Sequence, residues 1–467
     1  MDGLECSELL LSEVITSSDI FRLDSFFFSK EFLEDKKRLL NLSSFSLNQL
    51  GVDIKSFGAY SLNNYVVYQD EGIPFIRCVN IQNGTVDFSD MLYINEEANK
   101  LLWKSEIKPN TLLLTMSGTV GGVALATENW TYPANSNQDI AKIKFGNNYN
   151  RYVAYVYMLS KYGQNFMRRE ARGSVQQHVF LSQIEQMRLP MFSNTLECCI
   201  EEIIKASHKM QYEANEEYML AEGLLLNELS MADFTPSQES ITIKNFSESF
   251  GVTGRIDAEY YQPKYEDIET KINSKYVVKN LCIIHDAILA IDEKKIYKYI
   301  ELADIGATGN ITGCTTAIFT ELPTRARRLV KKGQIIVSSI EGSLQSCALV
   351  TDEYDGALCS TGFHVLDSAS INPETLLLLF KSVPIQQLLK KQCSGTILTA
   401  IAKSALEKIP LPLISFDTQH ILASNIQTSF GLRHKSEKLL ETAKRAVEIA
   451  IESGEENAIK WFEEQEA

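Results

Sequence analysis

A run of residues near the start of the chain returns, altered, in its second half, and this repeat limits the fold more than any other feature. Arg22-Leu23-Asp24, with Phe27, Phe28 and Phe32 behind it, recurs as Arg255-Ile256-Asp257 with Tyr260, Tyr261 and Tyr265, each 233 positions on. Phe75-Ile76-Arg77-Cys78-Val79-Asn80-Ile81 alternates like a strand and runs to a turn at Asn83-Gly84. It returns 224 positions on as Tyr299-Ile300-Glu301-Leu302-Ala303-Asp304-Ile305, followed by Gly309-Asn310. Ile107-Lys108-Pro109-Asn110 opens an apolar strand, Thr111–Thr115, and the turn Met116-Ser117-Gly118; Val330-Lys331-Lys332-Gly333 opens Gln334–Val337 and the turn Ser338-Ser339-Ile340-Glu341-Gly342. Val123-Ala124-Leu125-Ala126 then matches Ala348-Leu349-Val350. Arg172-Gly173-Ser174-Val175, leading to Arg188-Leu189-Pro190, returns 222 positions on as Ser394-Gly395-Thr396-Ile397, leading to Ile409-Pro410-Leu411-Pro412. Collinear matches with a slowly falling offset mean duplication with small loop changes, since chance similarity would scatter. Apolar pairs with apolar and turn with turn, so the two copies share a mixed α/β fold. The turns differ between them, so the copies bind different things.

Each copy is followed by a stretch that reads as one long helix. Over Leu196–Leu229, the residues Leu196, Ile200, Ile203, Ser207, Met210 and Ala214 keep the alternating three-and-four spacing of a helix seam, with no Pro or Gly before Gly223. About 34 residues at ~1.5 Å each give ~50 Å, well beyond an ordinary globular helix. The second stretch, Phe416 to Ala450, places Leu422, Ile426, Leu440, Ala443 and Val447 on one face, with Ser429, Arg433 and Ser436 polar in its middle. Two such rods are expected to pack antiparallel, hold the copies apart, and relate them by an approximate two-fold axis. The expected domains are an acidic N-terminal segment 1–18, carrying the apolar stripe Leu9, Leu10 and Val14, a first globular domain 19–192, a helical spacer 193–234, a second globular domain 235–414, and a second spacer with a C-terminal tail, 415–467.

The chain carries a net charge of −15. Residues 193–234 hold nine acids and two lysines, and 415–467 hold ten acids and six bases, so the helices carry −11 of it. The globular copies are nearly balanced, and each is free to bear a basic face. The start Met1-Asp2-Gly3-Leu4-Glu5 lacks the basic residues of a signal peptide, and apolar runs such as Leu376–Phe380 are too short to cross a bilayer. Nine cysteines form no CxxC pair, and Cys198-Cys199 are adjacent, which fits buried free thiols in a reducing cytoplasm.

Catalytic signatures are sparse. Gly118-Thr119-Val120-Gly121-Gly122 is glycine-rich, but no Gly-Lys-Ser/Thr comes after it, and Ser117 stands in no GxSxG frame. Six histidines include no HExxH and no pair at ligand spacing. The Asn/Asp-Pro-Pro-aromatic loop of an adenine-N6 methyltransferase does not occur. Asp53-Ile54-Lys55 and Glu293-Lys294-Lys295 fit the loose acid-x-lysine half of a nuclease site, a pattern that recurs by chance.

At this point the chain resembles the specificity subunits of type I restriction–modification enzymes. Met116-Ser117-Gly118-Thr119-Val120-Gly121, then Asn135-Ser136-Asn137-Gln138-Asp139-Ile140, is similar to that family's Ser-Gly…Gly…Asn-Gln segment. Gly173-Ser174-Val175-Gln176-Gln177-His178, leading to Arg188-Leu189-Pro190, is similar to its Gly-Ser/Thr…Leu-Pro close, and Arg255-Ile256-Asp257-Ala258-Glu259-Tyr260-Tyr261-Gln262-Pro263 to a common domain opening. The second copy departs by carrying Cys359-Ser360-Thr361-Gly362 in place of Asn-Gln. The resemblance implies two target-recognition domains separated by helical spacers. It also implies a non-catalytic chain that reads an asymmetric, bipartite double-stranded DNA target and recruits two adenine-N6 methyltransferase subunits and, for cleavage, ATP-driven restriction subunits. It implies no cofactor on this chain: S-adenosylmethionine, ATP and Mg would belong to the partners.

Cations on phosphates and amides or hydroxyls on base edges would do the reading. In the first copy the candidates are Ser117, Thr119, Asn137, Gln138, Arg168, Arg169, Arg172, Ser174, Gln176 and Gln177. In the second they are Thr324, Arg325, Arg327, Arg328, Lys331, Lys332, Ser338, Ser339, Lys390, Lys391, Thr396 and Thr399. Arg168–Arg172 serve equally well as cations at a helix C-terminus, and Arg325–Lys332 as a solvated basic loop. Phe26–Phe28 and Tyr260–Tyr261 are expected in the core. Ile203, Met210, Ile426 and Leu440 are candidate partner-binding positions on the rods. Two other classes stay open: a self-sufficient metal-dependent nuclease using Asp53/Lys55 or Glu293/Lys295, and a helical scaffold that binds only protein.

Overall fold

The computed structural model describes residues 7–17, 21–56, 66–82, 84–173, 175–239, 241–285, 292–395 and 399–466. The chain divides into two compact units. One joins residues up to Tyr212 with those from His434 onward; the other is Glu213–Arg433. Each unit therefore owns one globular copy and a part of each long helix.

In the first unit, Leu112–Thr115 is a central strand of a four-stranded antiparallel sheet, flanked by Val123–Leu125 and Ile140–Lys144, with Asp53–Lys55 at the far edge. Its residues are apolar without alternation because both faces are covered. Leu112 and Leu114 pack towards the helices Arg151–Leu159 and Lys161–Glu170, whereas Leu113 faces a second sheet, together with Ala124 and Ile140. That second sheet places Ile73–Ile76 parallel to Asn135–Ser136 and antiparallel to Leu92–Ile94.

The second unit repeats this construction. Ile335–Ser338 lies between Cys347–Leu349 and Phe363–Asp367, with Ile283–His285 at the edge. Ile335 and Val337 face the helices Pro373–Lys381 and Val383–Gln392, and Ile336 faces the second sheet. There Ile296–Ile300 runs parallel to Leu358–Ser360. Backbone details recur too: Asn110 and Gly333 hold φ of +64° and +81°, and Gly84 and Gly309 +81° and +85°. Only glycine or a short polar residue enters that region cheaply, so the duplication shows in the chain's conformational demands as well as in its letters.

The long helices run Asn194–Glu228 and Phe416–Ser453. In the first unit Leu196, Ile200 and Ile204 pack with Ala443, Ala446, Val447 and Ala450. The Oγ atoms of Ser207 and Ser436 each donate to the other's carbonyl, at 3.0 and 2.9 Å. Ser193 N–H meets Glu455 at 2.8 Å, so residue numbers rise on one helix as they fall on the other, and the pair is antiparallel. In the second unit Ala221 and Leu225 pack with Leu422 and Ile426, and Ser429 Oγ donates to the Ala214 carbonyl at 2.6 Å. Among the described residues no helix is long and apolar enough to cross a membrane.

Several expectations change. The buried seam passes through Ile204, which is fully buried, rather than Ile203. The alternating run Phe75–Ile81 is not one strand: it ends at Ile76, and Cys78–Asn80 forms a single 3-10 turn. Asn80 Oδ1 accepts the Arg77 N–H at 3.0 Å, and in the second unit Asp304 Oδ2 accepts the Glu301 N–H at 2.8 Å. A side-chain acceptor three residues on closes the turn in both copies. The C-terminal tail is a helix, Glu455–Glu466, whose Ala458 and Phe462 enter the first core. Of Phe26–Phe28 and Tyr260–Tyr261 only Phe27 is fully buried, Phe26 being 49% exposed. Near the N-terminus a short helix forms, Leu11–Thr16, but none of its residues is buried. The Asn83-Gly84 turn lies partly outside the described residues.

Candidate nucleic-acid interface

A clamp at the head of each copy fixes the helix from which a candidate loop departs. Arg22 pairs with Asp24 at 2.8 Å, lies 4.5 Å from the Phe27 ring centre, and donates to the Arg169 carbonyl at 2.9 Å. Arg255 pairs with Asp257 at 2.5 Å, lies 4.3 Å from the Tyr260 ring, and donates to the Cys393 carbonyl at 3.0 Å. Hydrogen bonds from the arginine hold both aspartates below their ordinary range. The carbonyls the clamp binds are at the C-terminal ends of helices Lys161–Glu170 and Val383–Gln392 and would otherwise lack partners.

From those ends the chain turns at Gly173 and Gly395, with φ of +111° and +132°. A Cβ on Gly173 would overlap the Gln176 carbonyl oxygen, so no other residue fits. The loop then returns to the strand-end turn. His178 bridges both Arg172 and Ser117, and Val179 N–H reaches the Met116 carbonyl at 2.8 Å. Met116 N–H in turn donates to the Asp139 carbonyl at 2.7 Å. Three segments, 116–121, 136–139 and 172–179, are thus laced at one end of the central strand. In the second unit Ala400 bridges Ser394 and Ile340, Ile401 N–H donates to the Ser339 carbonyl at 2.8 Å, and Ser339 N–H to the Gly362 carbonyl at 2.8 Å. The lacing is the same while its residues differ: Ser117 answers to Ile340, His178 to Ala400, Arg172 to Ser394, Gln177 to Thr399, and Asn137 to Ser360.

The sequence-derived candidates distribute unevenly over this frame. In the first unit Ser117 Oγ accepts from Gln176 Nε2 at 3.0 Å, and Thr119, Gln177 and Arg168 are exposed. Asn137 is half-buried beside Cys78 Sγ at 3.9 Å, and Gln138 turns Oε1 inward without a hydrogen-bond partner. Arg172 is half-buried in the lacing. Arg169 is packed and does not project from the laced loops: it is 8% exposed, its Nε donates to the Phe27 carbonyl at 3.1 Å, and its guanidinium lies 3.9 Å from the Phe27 ring centre. Ser174 lies outside the described residues.

In the second unit the run Arg325–Lys332 is not a loop. Ala326–Leu329 is a strand paired with Leu358–Ser360. Arg325 accepts the Thr361 N–H at 2.9 Å, at the laced end, with Thr324 exposed beside it. Lys331 and Lys332 leave at the other end, where Lys332 pairs with Asp352 at 2.7 Å. Four strand residues separate the ends by roughly 13 Å. Arg327 Nε holds the Thr324 carbonyl at 3.0 Å, and Arg328 donates to the Phe363 carbonyl. Ser338 is fully buried against Ser343, and Ser339 donates to the Gly362 carbonyl at 2.8 Å. These two serines and Arg328 hold the frame together, because the strand faces that carry them turn inward. Lys391 pairs with Glu269 at 2.6 Å, Lys390 is exposed, and Thr399 binds Glu341; Thr396 lies outside the described residues.

On the long helices Ile426 is fully buried in its own unit's core, so it offers no surface to a partner. Ile203 and Leu440 are half-buried against the first core, and Met210 is half-buried.

Lys142 was not legible from sequence. Ile140–Lys144 reads as a strand with lysines on a solvent face, but that face meets the second sheet. Lys142 is 4% exposed and donates to Ser136 Oγ at 3.0 Å. Desolvation pushes its ammonium down to about 7, and burial pushes the neighbouring Cys78 thiol up to about 11. Behind it Asn135 is fixed by Asn99 and Ser105, both at 2.8 Å. These contacts support the 136–139 segment from below. The matched residue in the second unit is Val365, opposite Ile336 as Lys142 is opposite Leu113. Asp53 and Lys55 pair with each other at 2.7 Å, and among the described residues no group of three His, Cys, Asp or Glu could hold a metal.

Compared with solved structures, the chain is similar to a type I restriction–modification system S subunit from M. genitalium, at 13% identity and a TM-score of 0.37, over 90% of this chain and 96% of that one. It is also similar to the HsdS subunit from Thermoanaerobacter tengcongensis, at 11% identity and a TM-score of 0.26, over 88% and 96% of the two chains. A type IIG restriction endonuclease, BpuSI, aligns over 38% of this chain and 28% of its own, at 11% identity and a TM-score of 0.30. Neither a protein-family model nor a curated protein sequence matches the chain.

Proposed function

We propose that this chain is a DNA-reading specificity subunit of a type I restriction–modification assembly. The observation that carries the reading is the lacing of three segments at one strand end, built twice on the same frame with different residues at the matched positions. A frame repeated with its tips changed is what two readers of unlike half-targets require. In the first unit Thr119, Asn137, Arg168, Arg172, Gln176 and Gln177 stand on or beside the lacing, and in the second Thr324, Arg325 and Thr399 do. Hydroxyls and amides of this kind reach base edges, and the arginines hold phosphates. Lys331, Lys332 and Lys390 would add phosphate contacts. The chain is acidic overall, so basic surfaces on partner subunits supply much of the neutralisation.

On this reading the chain performs no chemistry itself. Two adenine-N6 methyltransferase subunits bring S-adenosylmethionine and flip an adenine in each half-target, and ATP- and Mg-dependent restriction subunits add cleavage. Replacing residues 19–192 with the same region of a relative, in cells that hold the methyltransferase partner, tests the proposal by methylome sequencing. One half of the methylated target is expected to change while the other stays. Both halves changing together would sink the two-reader reading. Magnesium-dependent nicking by the purified chain, removed by Asp53→Ala or Glu293→Ala, would favour the nuclease alternative. Failure of the assembled complex to retain DNA would favour the scaffold.

A further inference from the structure

The duplication supplies an internal control for a cleft present in the first unit. In the second unit Glu269, on helix Pro263–Ile272, meets Lys391 at 2.6 Å and closes the corner electrically. The matched positions in the first unit are Lys36, on helix Lys30–Asn41, and Arg169. The equivalence is secured by Phe32 and Tyr265, both buried one turn earlier, and by Arg169 and Lys391, which stack on Phe27 and Tyr260. Where one copy has a salt bridge, the other has two cations. Lys36 is held below the ordinary lysine range, by desolvation first and by the Arg169 charge second.

An open cleft of about 600 Å³ lies at this corner, lined among others by Lys36, Arg169, Arg172, Phe166 and Phe180. Arg169 is 8% exposed and its Nη2 has no hydrogen-bond partner; Arg172 Nε has none either. The acids that line the cleft are Asp35 and Glu170. Glu170 forms a long ion pair with Arg169 Nη1 at 3.9 Å, beyond hydrogen-bond length, and its other oxygen accepts Gln183 Nε2 at 2.8 Å. Asp35 accepts Asn165 Nδ2 at 2.8 Å, and burial raises its pKa. Arg188 is held by Ser44. A buried cation short of acceptors is costly, and an incoming anion offsets that cost with charge-assisted bonds.

We infer that this cleft binds a phosphate ester, with its phosphate between Lys36, Arg169 and Arg172 and its organic part against Phe166 and Phe180. Its volume is in the range of small-ligand sites, and the exposed Phe180 ring gives a base a face to stack on. Because Arg172 also bridges His178 in the lacing, an occupant would touch the first copy's reading surface. A free nucleotide and the backbone of a duplex present the same chemistry.

The test is titration calorimetry of the full chain with AMP and with inorganic phosphate, and anisotropy with a DNA duplex over a salt series. Each is run on the wild type and on Lys36→Glu, which installs the second unit's pairing and should fold. Melting curves check the fold. If the ligand is a free nucleotide, AMP and phosphate bind the wild type and lose about tenfold or more in the variant, with duplex affinity unchanged. If it is a duplex backbone, duplex binding weakens instead and its salt slope drops by about one phosphate. Unchanged binding of all three in a folded variant, or no binding of any of them by the wild type, overturns the inference. The nucleotide arm does not depend on the partner subunits, so its failure is separable from failure of the two-reader proposal.

Discussion

Lys142 shows how one residue can oppose stability while supporting a loop. It is enclosed between two sheets with Ser136 Oγ as its hydrogen-bond acceptor, and its counterpart is Val365. The frame therefore does not need a lysine there. Its folded pKa of about 7 is below the ordinary lysine value near 10.4. Between those values the unfolded chain binds a proton that the folded chain does not, so this group makes stability rise with pH across that window. Below about 7 both states are charged and the penalty is full. Lys142→Met keeps the volume and removes the charge. It is expected to raise Tm at pH 7 and to flatten the rise of stability towards pH 10, as read by thermal melts over pH; an unchanged pH profile would count against a buried lysine. Gly173 is the opposite case, a residue without which the lacing fails. With a Cβ there overlapping the Gln176 carbonyl oxygen and φ at +111°, Gly173→Ala must open the 172–178 loop. The strain is about 1–3 kcal/mol, so the chain still folds. Methylation of the first half-target is expected to fall while the second is kept, and intact reading of both halves in a methylome would refute the loop's role.

At the scale of elements, periodic patterns were reliable where one face was buried and failed where both were. The long helices matched their seams to within a residue or two, because a 3.6-residue period survives for more than 30 residues. The shift from Ile203 to Ile204 is a choice between two neighbours on one stripe, decided by packing against Ala443 and Val447. The C-terminal helix Glu455–Glu466 lacks so long a pattern, yet Phe462 is 4% exposed and Glu455 accepts the Ser193 N–H at the start of the first long helix. Phe462→Ala is expected to cost about 3 kcal/mol or more. Denaturant unfolding should show it; a loss below about 0.5 kcal/mol, as for a surface change, would mean that this helix is not part of the core.

At the scale of the whole chain, the proposal assigns the gap between half-targets to helix length and their sequences to the laced loops. Inserting four residues after Ala214 adds ~6 Å along the helix and rotates the downstream part of the helix by about 40°. Since DNA gains ~3.4 Å per base pair, the preferred gap is expected to lengthen by one or two base pairs with both half-targets unchanged. Some efficiency should be lost, because Ala214 accepts from Ser429 within a packed pair. A methylome that keeps the original gap at full efficiency would show that the helices do not measure it.

The sequence by itself determined that the chain is built twice and that each copy is followed by a long helix. These are local or repeated signals: Arg-x-Asp heads, apolar runs, Gly173 and Gly395, and long seams. It also named Ser117, Gln176 and Arg172 among the candidates of one copy, and the structure brings them together. Only the tertiary structure decided which candidates face outward. Ser338, Arg169 and Arg328 are polar and lie beside turns, yet they bind the frame's own carbonyls or hydroxyls. One basic run was divided between two ends of a strand, and Lys142 was enclosed by a second sheet. The physical reason is the same throughout. A strand's alternation says which residues share a face, but what covers that face comes from segments far away in the chain.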